Sequence, residues 1–241
     1  MARVRASACL AAPDRALPGV MANRSRPEAV LFDFGGVFLD SPFAAVRAFG
    51  EQAGIPDDGV MELVFGRYDA DTDHPWHRLE RGEIDLATTR QEILDLSQAA
   101  GYRIDLFDAF ATLVRAGIRD EMVAVAREVR DAGLKSAIVT NNVREFGESW
   151  RAMLPVDELF DAIVDSHEIG LRKPDPRIFE LALERLGGVA PSRAVFLDDF
   201  EGNVAAAERL GMHGILVDHD DWIRAVERLR ALLSGASETP L

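Results

Sequence analysis

Cysteine is almost absent: the chain holds one, Cys9, among 241 residues. No disulfide can form within the chain, and no cysteine-based metal site can be built. A reducing, cytoplasmic setting is therefore expected. Long apolar runs are missing too. A bilayer span needs roughly 20 consecutive apolar residues, and no stretch approaches that. Basic residues are in deficit, 27 Lys and Arg against 41 Asp and Glu, for a net charge of −14. A general nucleic-acid binder carries basic stripes that meet phosphate. Neither nucleic acid nor membrane is expected as a partner. The body of the chain has no internal repeat and no low-complexity segment.

What remains is ordinary for a globular protein of one or two domains, with 48% hydrophobic residues. Residues 1–27 stand apart, with Arg3, Arg5, Arg15, Arg24 and Arg26 among small residues and three prolines. The stretch "ACLAAP" is shorter than the apolar core of about 7–15 residues that a signal peptide needs, and Asp14 and Arg15 keep it from extending. A disordered leader upstream of a start at Met21 is expected, and an Arg-rich transit peptide stays open. The tail over residues 236–241 reads as loose.

Ala29 to Phe34 reads as a buried strand stopped by Gly35 and Gly36. Residues 41–116 then turn helical. "PFAAVRAFGEQAG" and "DLATTRQEILDLSQAAG" are helices, with Gly50 or Gly54 and then Gly101 as stops, and no strand lies between them. From residue 117 to about 235 the pattern alternates. "DEMVAVAREVRDAG" is an amphipathic helix, "KSAIVTNN" a strand, "FDAIVDS" a strand and "DPRIFELALERLGG" a helix. "AVFLDDF" is a strand, "EGNVAAAERLG" a helix, "GILVD" a strand and "DDWIRAVERLRALLSG" a closing helix. Short strands alternating with helices predict an α/β fold: a Rossmann-like, doubly wound parallel sheet. Its core comprises residues 28–40 and 117–235, with a helical cap over 41–116 inserted after the first strand.

In such sheets the ligand site lies at the carboxyl ends of the strands. The residues there are Asp33, then Thr140 and Asn141, then Lys173 in "GLRKPDP", then Asp198 and Asp199. Converging carboxylates repel unless a cation or a proton intervenes, and Mg²⁺ suits an all-oxygen set. Together with Lys173 it would neutralise a phosphorylated substrate, so that Asp33 attacks phosphorus to give an aspartyl-phosphate. Taken singly, each part has a plainer reading. Asp33 or Asp199 is a turn former or helix N-cap, Lys173 a solvated lysine, and "TNN" a common loop. The ordered set at successive strand ends favours the site.

The stretches "VLFDFGGV", "AIVTNN", "RKPDPRIF" and "VFLDDFEGNVAAAERLGMHGILV", spanning Val30 to Val217, resemble the haloacid dehalogenase (HAD) superfamily. The last two are similar to the subgroup of the soluble epoxide hydrolase phosphatase domain and a bacterial glucose-1-phosphate phosphatase. The resemblance implies a Mg²⁺-dependent phosphatase with Asp33 as nucleophile. It implies Thr140 and Asn141 as phosphate binders, and Lys173 as the residue that orients phosphate and nucleophile. Asp199 and the Gly35 carbonyl would be direct metal ligands, Asp198 a ligand through water, and Asn203 a supporting residue beside the acid pair. It also implies that the cap closes over the site.

The chain departs from the family pattern at Gly35, where an aspartate usually protonates the leaving group and then activates water. Such a group contributes about 10²–10⁴-fold. A good leaving group, another donor or slow turnover would accommodate the loss. His74 and His77 in "DTDHPWHRLERGE" are candidate donors, although surface or helix-start positions are the plainer reading. Trp76 and Arg78 read as packing and solvent residues, and His167 as structural. Asp218 to Asp221 read as the cap of the last helix. Two rival functions stay open: a dehalogenase-like enzyme in which Asp33 attacks carbon, and a phosphate-binding protein with little turnover. Neither the substrate nor the oligomeric state is encoded legibly.

Overall fold

The computed structural model describes residues 26–111 and 117–235. Cys9, almost all of the expected leader and the tail over 236–241 lie outside them. Five strands, β1 (Ala29–Phe32), β2 (Lys135–Thr140), β3 (Ala162–Asp165), β4 (Ala194–Asp198) and β5 (His213–Leu216), form one sheet. Their order is β3-β2-β1-β4-β5. All pairings are parallel. The central strand is two residues shorter than expected. Asp33 N–H still donates to the Leu197 carbonyl at 2.8 Å, and the chain then turns out of the sheet.

Both faces of the sheet are covered, which is why its strands read as continuous apolar runs. Val30 and Phe32 point to one face and pack in the cluster that holds α6 (Asp120–Asp131) and α12 (Trp222–Ser234). Ala29 and Leu31 point to the other and join α10 (Pro176–Arg185) and α11 (Glu201–Arg209). The alternation follows from the two-residue period of a strand.

The segment between β1 and β2 contains α1 (Pro42–Ala53), α2 (Asp57–Phe65), α3 (Pro75–Glu80), α4 (Leu86–Ala99) and α5 (Leu106–Ala109). The sequence pattern anticipates α1 and α4, whose caps are explicit. Ser41 accepts from Phe43 N–H, Pro42 opens α1, and Gly54 ends it in the left-handed region. Asp85 caps α4 by accepting from Thr88 N–H. The others are too short to show a clear 3.6-residue period. The insertion has its own core, including Phe43, Val60, Phe65, Trp76, Leu79 and Ile93. Three further short helices, α7 (Gly147–Arg151), α8 (Val156–Leu159) and α9 (Ser166–Ile169), flank β3 and are not evident in the sequence.

The expected cap of the last helix is corrected. Asp221 occupies the N-cap position of α12 but makes no side-chain cap. Asp218 Oδ1 instead accepts from Asp220 and Asp221 N–H, at 2.8 and 3.3 Å, and shapes the preceding turn. Among the described residues, no helix is long and apolar enough to cross a membrane.

Candidate active site

The parallel sheet delivers its strand ends to one edge. Asp33 follows β1, Asp198 ends β4, and Lys173 reaches both from the loop between α9 and α10. Lys173 Nζ lies 2.8 Å from Asp33 Oδ1 and 2.7 Å from Asp198 Oδ2. Carboxylate oxygens of Asp33, Asp198 and Asp199 lie within 4.8 Å of one another. Asp198 is also held from behind: its Oδ1 accepts from Phe200 N–H at 2.8 Å and from the Asn203 amide at 3.1 Å. Its lone pairs are thus largely committed, whereas Asp199 faces a cavity.

Three acids against one ammonium leave excess negative charge in a buried place. Burial raises the Asp33 carboxyl to about 7, with Lys173 opposing and Asp198 reinforcing the rise. Asp199 is pushed well above the carboxylate range by burial and by the Asp198 and Asp33 charges. Burial alone would lower Lys173, but Asp198 and Asp33 hold it above its ordinary value, so it stays an ammonium. A hard divalent cation fits this all-oxygen donor set and would relieve its repulsion.

The two adjacent glycines differ. Gly36 has φ +74°, and a Cβ there would sit 2.1 Å from the Asp199 carboxyl group. It is thus more than the turn former its sequence context suggests, because it makes room for an acid of the site. Gly35 lies outside the left-handed region, and a Cβ would meet only Pro42 Cδ at 3.7 Å. The fold does not require glycine at position 35.

A cavity of about 60 Å³ separates the sheet edge from the helical insertion. Asp33, Gly35, Asn141, Asp199 and Asn203 line its floor, and Pro42, Phe43, Phe65, Tyr68, Trp76 and Glu80 its roof. Thr140 is buried at the end of β2 and does not line it. Larger depressions of about 420 and 590 Å³ lie at the amino edge of the sheet and on the outside of the insertion, remote from the acids.

The roof is tied to the floor by a buried polar network that the motifs do not single out. Arg172, fully buried, donates from Nε to Glu80 Oε2 at 2.6 Å and from Nη1 to the Ala70 carbonyl at 3.1 Å. Its guanidinium carbon lies 4.5 Å from the centre of the Tyr68 ring. Glu80 Oε1 accepts from Tyr68 Oη at 2.7 Å and from Trp76 Nε1 at 2.8 Å. The Asn141 amide donates to Tyr68 Oη at 3.2 Å and to the Lys173 carbonyl at 3.0 Å, while Asn141 Oδ1 accepts from Lys173 N–H at 2.7 Å. Ser166 Oγ donates to the Glu80 carbonyl at 2.6 Å and accepts from Asn142 N–H at 2.9 Å. Arg172 sits beside Lys173, and Glu80 lies in the His-containing segment. Only the fold shows that they meet.

His74 and His77 do not supply a proton donor. His74 is the N-cap of α3, its Nδ1 accepting from Trp76 N–H at 3.2 Å. His77 is fully buried and accepts at Nδ1 from Thr72 N–H at 3.0 Å. Burial lowers them to about 4 and about 3, so both are neutral near pH 7, and neither lines the cavity. Trp76 packs in the roof, and Arg78 pairs with Glu92 at 3.1 Å. His167 rests on Asp165 at 2.6 Å, and the neighbouring Glu168 is paired with Arg151.

Residues 27–211 match the model of the haloacid dehalogenase-like hydrolases. The chain belongs to this family. It is 36% identical over 211 residues to mouse (Mus musculus) acyl-CoA dehydrogenase family member 10, an alignment covering 85% of this chain and 19% of that protein. It is 28% identical to mouse bifunctional epoxide hydrolase 2 over 77% of this chain and 35% of that protein. The chain thus spans about a fifth and about a third of these relatives. It is 26% identical to phosphoglycolate phosphatase from Pseudomonas putida, over 88% of this chain and 80% of that protein. Among solved structures, a HAD-like hydrolase from Porphyromonas gingivalis superposes with a TM-score of 0.59 at 24% identity, covering 86% of this chain and 98% of that one. A HAD enzyme from Bacteroides thetaiotaomicron, in complex with magnesium and inorganic phosphate, superposes at 0.55 and 21% identity, over 82% and 98% of the two chains. These HAD structures share the fold. The phosphatases among the relatives support a phosphohydrolase.

Proposed function

We propose that this HAD-family chain is a Mg²⁺-dependent phosphohydrolase of a small phosphorylated metabolite, working through an aspartyl-phosphate on Asp33. The observation that carries the reading is the convergence of Asp33, Asp198 and Asp199 around the buried Lys173. Asp33, the Gly35 carbonyl and Asp199 would hold Mg²⁺, with Asp198 reaching it through water. The ion would supply charge neutralisation for the phosphoryl oxygens.

The chain's own residues do the rest. Lys173 keeps the Asp33 carboxylate oriented and adds a fixed positive charge beside the incoming phosphate. Thr140 and Asn141 would hold the phosphoryl oxygens through their backbone donors, since Thr140 is buried behind the cavity and the Asn141 side-chain amide is given to Tyr68 and the Lys173 carbonyl. Asn203 steadies Asp198, which in turn steadies Lys173. The aromatic roof excludes water while the phosphoryl group moves.

A phosphate-release screen over sugar phosphates, nucleotides and p-nitrophenyl phosphate, with Mg²⁺ and an Asp33→Asn control, tests the reading. Wild type is expected to release phosphate, EDTA to stop it, and the control to be silent. Equal silence from wild type and control on every compound would refute it. EDTA-insensitive halide release from a 2-haloacid would assign the dehalogenase chemistry instead.

A further inference from the structure

The turn after Phe34 is the soft part of the acid site. Two adjacent glycines fix their own backbone poorly, because each has a wide range of conformations open to it. The Gly35 carbonyl, proposed above as a Mg²⁺ ligand, belongs to the peptide that joins them. Gly36, at φ +74°, then packs so closely on the Asp199 carboxyl group that a Cβ would sit 2.1 Å from it. A shift of this turn would therefore disturb two metal donors at once.

Arg119 restrains that turn from a distance. It stands at the N-cap position of α6, where the chain returns from the helical insertion, yet its side chain makes no cap there. The side chain is buried and turns to the glycines instead. Nη1 donates to the Gly36 carbonyl at 2.6 Å and, more weakly, to the Val37 carbonyl at 3.4 Å. Nη2 lies 3.6 Å from Asp40 Oδ1, and the guanidinium carbon lies 5.2 Å from the centre of the Trp222 ring. The Arg119 N–H donates to the Phe38 carbonyl at 2.9 Å. The outgoing linker is tied to the same place: Ser41, the buried N-cap of α1, hydrogen-bonds the Asp199 carboxyl group. Both linkers between core and insertion thus end on the contact between Gly36 and Asp199.

We infer that Arg119 is a positioning residue for the metal centre: by gripping the Gly36 carbonyl it holds the glycine turn in the conformation that lets the Gly35 carbonyl and Asp199 serve one ion. The inference rests on the Mg²⁺ reading above. Arg119 does not line the cavity, so it acts through the turn. The sign of its effect separates this role from simple electrostatics. A fixed positive charge near a cation site opposes cation binding, so on charge alone its removal would tighten Mg²⁺. Loss of the grip would loosen it.

Calorimetric titration of the full chain with Mg²⁺ tests this without turnover. Arg119→Met is expected to weaken Mg²⁺ binding by about 10–100-fold, the range for lost supporting contacts. Arg119→Lys keeps the charge and a donor but not the planar fork, and should weaken binding less than Arg119→Met does. Trp222→Leu removes only the ring beside the guanidinium, and should lower melting while leaving Mg²⁺ affinity unchanged. In turnover of p-nitrophenyl phosphate, Arg119→Met should raise the Mg²⁺ concentration for half-activation with KM at saturating Mg²⁺ unchanged. Mg²⁺ affinity in Arg119→Met equal to or tighter than wild type overturns the inference. Equal weakening by Trp222→Leu overturns it too, because the effect would then be general loosening. If Arg119→Met does not fold, Arg119→Lys decides: weaker Mg²⁺ binding supports the inference and unchanged binding overturns it. A wild type that takes up no Mg²⁺ removes the Mg²⁺ reading, and the inference with it.

Discussion

Replacing Glu80 with alanine isolates the network that joins cap to core. Arg172 is fully buried and loses its 2.6 Å carboxylate partner, keeping the Ala70 carbonyl at 3.1 Å and a distant Asp71 at 3.9 Å. Two more donors, Tyr68 Oη and Trp76 Nε1, lose their acceptor. Breaking one side of a buried ion pair costs about 3–5 kcal/mol. At about 2–4 °C per kcal/mol for a domain of this size, melting should fall by about 6–20 °C. The cost has a ceiling, because Glu80 is on the cap and Arg172 on the core. Once cap opening is cheaper than keeping Arg172 desolvated, the cap opens and the guanidinium is hydrated. Hydrogen exchange should therefore quicken in α3 and α4 before it quickens in the sheet.

The double variant Glu80→Leu/Arg172→Met removes both charges and should recover much of the loss, as buried pairs exchanged for apolar side chains often do. The cycle formed with the two single variants then reports their coupling. A cost under about 1 kcal/mol for Glu80→Ala, with cap exchange unchanged, would refute a network that holds the cap. A double variant no more stable than the weaker single one would refute it equally.

Three further outcomes are expected. Gly36→Ala should weaken Mg²⁺ binding by about 10–100-fold in calorimetric titration, the range seen when a ligand's supporting contacts are lost. Gly35→Ala should weaken it far less, since its Cβ meets only Pro42 at 3.7 Å. Acidification should loosen the cap through His77. Its folded value, about 3, lies below the unfolded value of 6.5, so the unfolded chain binds the extra proton and stability falls as pH drops below 6.5. At about pH 5 the loss reaches about 2 kcal/mol, and His77→Gln should remove that share of the fall in urea midpoints between about pH 7 and about pH 5, while His74, lowered to about 4, keeps a share of its own. Mg²⁺ at about 100 times its Kd should add about 2.7 kcal/mol and raise melting by about 5–11 °C. Asp33→Asn should blunt that rise in calorimetric scans.

Sequence reasoning reached the sheet, its flanking helices and the strand-end acids because each depends on neighbours close in the chain. An apolar run stopped by glycine makes β1, and the acid that ends it must fall at the carboxyl edge. The network did not show, because Arg172 and Glu80 are 92 residues apart and neither has a local signature of pairing. His77 misled for a related reason. Its reference acidity suggests a donor near neutral pH, but a residue's burial belongs to the fold, and burial removes that capacity. Asp221 sits where a capping residue should, yet Asp218, earlier in the same acidic turn, takes the backbone amides instead.

The adjacent glycines beyond Asp33 show how geometry separates residues that sequence makes look alike. Both read as turn formers. At Gly36 a positive φ and the Asp199 carboxyl group, 2.1 Å from any Cβ, leave no alternative to glycine. At Gly35 the backbone lies outside the left-handed region and a Cβ would meet only Pro42 Cδ at 3.7 Å, so the turn itself does not demand glycine there. The missing side chain at position 35 is therefore not a steric by-product of the turn, whereas the one at position 36 is.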